Sequence, residues 1–141
     1  MAAAEYREAI KHPLATDAAI GYALTFLMRT VRGGYSCAVL LDEKRRHMAT
    51  ISLGRGGKPT DETMLELIER EVLVRGAAYF VLAHCHDGDE LRPSRADRAA
   101  TERIRQRFAD SSASLIDHFI ISGDSWSTVL SECASFDLAK A

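Results

Sequence analysis

The side chains best suited to chemistry are two histidines, a serine and an aspartate that fall in one short stretch. His84 and His86 are separated by a single residue, and Ser94 and Asp97 follow with the spacing Ser-x-x-Asp. Two neutral imidazoles and one carboxylate can bind Zn²⁺ tetrahedrally and leave the fourth position to water. The residue types therefore predict a catalytic metal site with His84, His86 and Asp97 as ligands, and not a closed structural one.

The elements around these residues are expected to bring them together. An apolar run over residues 77–83 predicts a buried strand that ends at the histidines. A helix is predicted from Ser94 to about residue 108, which places Asp97 in its first turn. Because Ser-x-x-Asp also resembles a capping box, Ser94 is expected to cap this helix while its hydroxyl faces the catalytic water.

Each half of the pattern taken alone has a purely structural alternative. Residues i and i+2 of a strand share a face, so the two histidines could be polar neighbours only. Ser-x-x-Asp could likewise do no more than cap the helix. Cys85, between the histidines, is expected to point to the opposite face as a packing thiol. His118 lies in an apolar segment and is predicted to be a hydrogen-bonded core histidine and not a ligand.

Whole-chain composition predicts one domain. The chain has 141 residues, 47% of them hydrophobic, so a single domain with its own core is expected over residues 1–141. A net charge of −2 argues against binding nucleic acid through bulk charge. The start of the chain lacks the pattern of a signal peptide, and no apolar run approaches a membrane span. Three scattered cysteines fit a reducing compartment, so a cytoplasmic location is expected.

Alternating helix and strand patterns predict an α/β fold with a single mixed β-sheet flanked by helices on both faces. The helices are predicted over residues 5–11, 16–32, 60–75 and 94–108. The strands are predicted over residues 36–41, 48–53, 77–84, 115–122 and 125–130, with a polar turn joining the first two as a hairpin. The core is expected over about residues 36–130, preceded by N-terminal helices within residues 4–32.

Three short segments carry a family resemblance. They are Leu82-Ala83-His84-x-His86, then Pro93-Ser94-x-Ala96-Asp97, and then Asp117-His118-x-Ile120-Ile121 before a glycine. They resemble the JAMM motif of the JAB/MPN superfamily, and more closely its bacterial RadC-like branch, over about residues 37–130. The resemblance implies a JAB/MPN fold with cytidine-deaminase-like layering. It also implies a zinc metallopeptidase or isopeptidase site in which Ser94 steadies the oxyanion and a glutamate acts as general base.

Two departures from the family pattern bear on activity. The family's His-Asn-His-Pro-Ser-Gly is replaced from His84 onward by His-Cys-His-Asp-Gly-Asp. The family's catalytic glutamate is expected on the strand before the first crossover helix, where the spacing places Ile51. Losing a general base typically lowers a rate by about 10²- to 10⁴-fold, so zinc binding with weak or absent hydrolysis is expected. Glu62, Glu90 or a neighbouring chain could supply a substitute carboxylate.

Functions from two classes remain open on the sequence. The first is a zinc-dependent hydrolase of peptide or isopeptide bonds. The second is a non-catalytic, DNA-repair-associated or protein-interaction domain, although the net charge gives no support to nucleic-acid binding. A metallophosphoesterase of the His-x-His-x-Asp-His kind fails on spacing, because no histidine directly follows Asp87 or Asp89. The substrate, the partner and the oligomeric state are left open.

Overall fold

The computed structural model describes residues 3–29, 31, 34–55, 61–85 and 90–135, and within them the chain forms four helices and five strands. The helices are α1 (Ala3–Ala9), α2 (Asp17–Met28), α3 (Glu62–Arg75) and α4 (Arg95–Arg107). The strands are β1 (Tyr35–Leu41), β2 (His47–Arg55), β3 (Tyr79–Cys85), β4 (Ser114–Ser122) and β5 (Ser125–Thr128). They form one sheet in the order β2-β1-β3-β4-β5, in which only β3 and β4 run parallel. The predicted mixed α/β sheet is confirmed.

Helices cover both faces of this sheet because side chains alternate along each strand. On β3, Val81 and Ala83 point into the core formed with α1 and α2. Phe80 and Leu82 point into the core formed with α3 and α4. Cys85 belongs to the first core, on the face away from its neighbour His84, so the prediction of a packing thiol is confirmed.

The β1–β2 hairpin forms at the polar turn that the sequence predicts. The Asp42 carboxylate accepts hydrogen bonds from the backbone N–H groups of Lys44 and Arg46, which closes the turn locally. β2 extends past its predicted end because Gly54 and Arg55 continue to pair with β1. Leu53 is an extra residue in this pairing, since Ser52 lies opposite Cys37 and Gly54 lies opposite Ser36.

Helix ends follow the capping signals in the sequence. Thr16 caps α2 by accepting the Ala19 N–H at 3.0 Å, and Gly76 ends α3 in the left-handed conformation at φ 68°. α2 ends at Met28, before the predicted end near residue 32. The predicted start of α3 at residue 60 lies outside the described residues, and the helix is seen from Glu62. None of the described helices combines the length and hydrophobicity that crossing a membrane requires.

α2 lies against β5 with very little clearance at Gly21. A Cβ atom at this position would clash with the indole carbons of Trp126. In a helix interior, alanine is ordinarily more stable than glycine by about 0.5–1 kcal/mol. The close approach of the Trp126 ring, and not helix propensity, therefore requires glycine here.

A buried carboxylate joins β4 to the end of β5. Asp117 is 2% exposed, and its two oxygens accept four backbone N–H groups, those of His118, Val129, Leu130 and Ser131, at 2.8–3.1 Å. These bonds turn the chain out of the sheet after Thr128. β5 is therefore shorter than the predicted strand over residues 125–130.

Asp117→Asn is expected to destabilise the fold by about 1.5–3 kcal/mol, the usual contribution of a hydrogen bond to a charged group. The amide NH₂ would face a backbone N–H where the carboxylate has an acceptor oxygen. Urea denaturation measures the change. The control is Asp124→Asn, because Asp124 is exposed and pairs with Arg29 at the surface, and surface changes usually stay within about 0.5 kcal/mol. Equal losses of unfolding free energy in the two variants would contradict the role of the Asp117 carboxylate in holding the chain after β5.

Candidate metal centre

The candidate site lies where the C-terminal end of β3 meets the N-terminal end of α4. His84 is the penultimate residue of β3, and its side chain is on the face covered by α3 and α4. Asp97 lies in the first turn of α4. The structure therefore brings two of the three predicted ligands to the same end of the same face.

Ser94 and Asp97 form a reciprocal capping box at the start of α4. The Ser94 hydroxyl accepts the Asp97 N–H, and the Asp97 carboxylate accepts the Ser94 N–H, both at 3.0 Å. The predicted capping role of Ser94 is confirmed. Its predicted contact with a catalytic water stays a prediction.

The Asp97 carboxylate is held in its charged form. Partial burial raises its pKa, but the hydrogen bonds from Ser94 lower it, as does positive charge on His84 or His118 when they are protonated, and the net pKa is below the usual range. Asp97 is therefore ionised at neutral pH, as a metal ligand must be.

His84 is in direct contact with a second histidine from the neighbouring strand. Its Nδ1 lies 2.6 Å from Nε2 of His118, and the two rings are 4.7 Å apart between centroids. The other nitrogen of His118, Nδ1, lies 3.1 Å from the Thr101 hydroxyl of α4. His118 is 2% exposed, so the prediction of a hydrogen-bonded core histidine is confirmed.

The contact between His84 and His118 is a feature that the sequence prediction missed. β3 and β4 are parallel, with Leu82 opposite His118 and His84 opposite Ile120. The two histidines are therefore diagonal neighbours on one face. The apolar segments around His84 and His118 indicate two buried strands. The contact between the histidines follows only once these strands are known to be adjacent and in this register.

His86 lies outside the described residues, together with residues 87–89. Within the part of the chain that the structure describes, no three His, Cys, Asp or Glu side chains form a group that could hold a metal. His84 and Asp97 thus stand as two members of a predicted ligand set whose third member, His86, stays a prediction.

Ile51 lies on β2, on the same face of the sheet as His84. It pairs with Ala38 of β1, which pairs in turn with Leu82 of β3, one pleat before His84. Two strand spacings separate these outer positions, about 10 Å across the sheet. Ile51 is half-buried and packs against the core formed with α3 and α4. Leu53, the extra residue of the bulge, is buried in the same core. The side of the sheet on which a general base is expected is therefore apolar at both positions.

Neither glutamate proposed as a substitute base is directed to the site by its described contacts. Glu62 binds Arg107 near the end of α4, ten residues beyond Asp97 and thus about 15 Å along the helix. Glu90 accepts the N–H of Arg92 within its own loop at 2.6 Å and is exposed. The position of Glu62 argues against it as the base.

The segment leading into α4 is anchored to β5. Leu91 is buried, and its carbonyl accepts the hydroxyl of the buried Ser127. Arg98 in the first turns of α4 forms an ion pair with Glu132 beyond β5. These contacts fix the start of α4, and with it Asp97, relative to the sheet.

Comparison with known proteins agrees with the family resemblance of the sequence. The family model described as the RadC-like JAB domain matches residues 7–134. This chain belongs to the RadC-like JAB domain family. A UPF0758 protein of Thiobacillus denitrificans is 32% identical over 112 residues, which cover 79% of this chain and 50% of that protein. A UPF0758 protein of Xanthomonas campestris is 35% identical over 95 residues, covering 67% of this chain and 42% of that protein. The chain thus spans about half the length, or less, of these relatives.

Ser94→Ala should destabilise the protein by about 0.5–2 kcal/mol, because the Asp97 N–H loses its capping acceptor. Thermal denaturation in the presence of a chelator measures this effect without any contribution from metal. Ser94→Thr keeps a hydroxyl at the cap and serves as the matched control, with a smaller loss expected. An alanine variant as stable as the wild type would show that the cap contributes nothing.

Proposed function

We propose that this chain binds one zinc ion through His84, His86 and Asp97 and is a JAMM-type hydrolase of weak or absent activity. The proposal is supported by one observation above all. The capping box holds the Asp97 carboxylate at the start of α4, at the same end and on the same face of the sheet as His84. A carboxylate and an imidazole are ligands that zinc prefers, and the His-x-His spacing supplies the third from the same strand end.

The site would supply a nucleophile and a group to stabilise the oxyanion in such a reaction. Zinc, when bound, lowers the pKa of a coordinated water towards ~7 and so supplies a nucleophile at neutral pH. Ser94 would offer its hydroxyl to the oxyanion that develops on a peptide or isopeptide carbonyl. Its capping bond uses the hydroxyl oxygen as an acceptor, so its hydrogen would be donated either to the Asp97 carboxylate or to the oxyanion.

Proton transfer is the step for which this chain is poorly equipped. A general base must lie within hydrogen-bond reach of the proton it removes. Ile51 and Leu53 present hydrocarbon on the side of the sheet where that base is expected. A rate about 10²- to 10⁴-fold below that of a complete site follows from the loss of this group.

A non-catalytic role is the second candidate function. The same apolar residues favour it, since a domain that no longer hydrolyses bonds could keep the fold to bind a protein partner. A DNA-repair association has less support, because the net charge of −2 provides no general attraction for nucleic acid. A cytoplasmic location remains part of the proposal on the cysteine pattern alone.

Purified protein is expected to contain about one zinc per chain, and His84→Ala/His86→Ala is expected to contain almost none. The reason is that two of the three protein ligands are removed together. Elemental analysis by mass spectrometry measures the content. His12→Ala is the control, because His12 is an exposed residue after α1 and is not part of the predicted site. Equal zinc in the wild type and in the double variant would refute the metal site.

Ile51→Glu is expected to raise hydrolysis of a generic peptide or isopeptide substrate, by supplying a base on the correct face. Ile51→Gln has the same shape without the basic carboxylate, so the ratio of the two rates isolates proton transfer. Circular dichroism checks that both variants fold. Leu53→Glu with Leu53→Gln repeats the comparison at the bulge. No gain at either position, in protein that retains zinc, would contradict the view that a missing base limits activity.

A further inference from the structure

The contact between His84 and His118 continues into a chain of three side chains, of which His118 and Thr101 are buried. His84 Nδ1 faces His118 Nε2 at 2.6 Å, and His118 Nδ1 faces the Thr101 hydroxyl at 3.1 Å. Thr101 is fully buried, and it follows Asp97 by four residues on α4. Residues four apart share a helix face, so α4 directs Asp97 and Thr101 to the same side.

A hydrogen bond between two imidazole nitrogens needs one donor and one acceptor. In one arrangement, His84 donates its Nδ1–H to His118, and His118 donates its Nδ1–H to the Thr101 oxygen. In the other, Thr101 donates to His118, and His118 donates its Nε2–H to His84. A neutral His84 then carries its proton on Nε2.

Only the first arrangement is compatible with His84 as a metal ligand. Because His118 engages Nδ1 of His84, Nε2 is the ring nitrogen through which His84 would bind a metal, and a ligand nitrogen must carry no proton. Metal-binding histidines usually donate their second N–H to a fixed acceptor, which sets the ring orientation. We propose that His118 and Thr101 are positioning residues that hold the His84 ring and keep its proton on Nδ1.

This inference rests on the proposed zinc site, and it makes a specific assignment within it. The acceptor is a neutral histidine instead of the carboxylate or backbone carbonyl that commonly fills this place. The acceptor is oriented in turn by a hydroxyl from the helix that carries Asp97. Residues of β4 and α4 thereby orient the ring of His84, the first predicted ligand, although neither His118 nor Thr101 would contact the metal.

The test compares zinc affinities by competition with a chromophoric chelator. His118→Leu removes the acceptor, and Thr101→Val removes the hydroxyl at nearly constant shape. Both are expected to weaken zinc binding by about 10- to 100-fold. His118→Gln keeps an acceptor, and Thr101→Ser keeps a hydroxyl, so both should restore most of the affinity.

Thr25→Val is the matched control for these changes. Thr25 is also buried, but its hydroxyl bonds to the Tyr22 carbonyl within α2. Its zinc affinity should equal that of the wild type. If His118→Leu fails to fold, Thr101→Val with Thr101→Ser decides the question alone. Wild-type affinity in the folded leucine or valine variant would overturn the proposal.

A second readout separates this inference from the zinc site itself. Long-range ¹H–¹⁵N NMR of the metal-free, histidine-labelled chain reports which nitrogen of His84 carries the proton. A proton on Nδ1 in the wild type, and a shift towards mixed tautomers in Thr101→Val, is the expected result. A proton on Nε2 would overturn the positioning role. Should the wild type bind no zinc, the proposed function fails, and the NMR result still decides this inference.

Discussion

The parallel pairing of β3 with β4 is the constraint on which the rest of the site depends. Parallel neighbours need a crossover connection, and here that connection contains α4. The crossover brings the N-terminal end of α4 back beside the end of β3, so Asp97 meets His84. The same pairing places His118 diagonally across from His84. A change of register by one residue would turn one histidine to the opposite core and separate them.

The sequence predicted those features that arise from local chemistry. Thr16, Asp42, Gly76 and Ser94 act through hydrogen bonds or backbone preferences within a few residues, and each lies at a predicted helix end or in the predicted hairpin turn. The end of β5 was predicted less well, because Asp117, far back in the chain, takes its N–H groups. The partner of His84 was missed for the same reason. Both depend on which strands become neighbours, and periodicity does not contain that information.

The charged residues of α4 have separate structural duties at its two ends. Near its start, Arg98 reaches Glu132 beyond β5. At its end, Arg107 bridges Glu62 and Glu69 of α3. These exposed pairs contribute little individually to the free energy of unfolding. Together they connect the helix to α3 and to the segment after β5, so Glu62, one of the two glutamates considered as a substitute base, is already engaged in holding α4.

The close approach of Gly21 to Trp126 has a consequence for how this sequence can change over time. The two residues lie 105 positions apart in the chain, yet the space that one side chain gives up is the space that the other fills. The two positions do not accept substitutions equally. A smaller residue must replace Trp126 before position 21 can accept a side chain. Geometry therefore fixes the order of substitutions, and a change at position 21 depends on an earlier change at position 126.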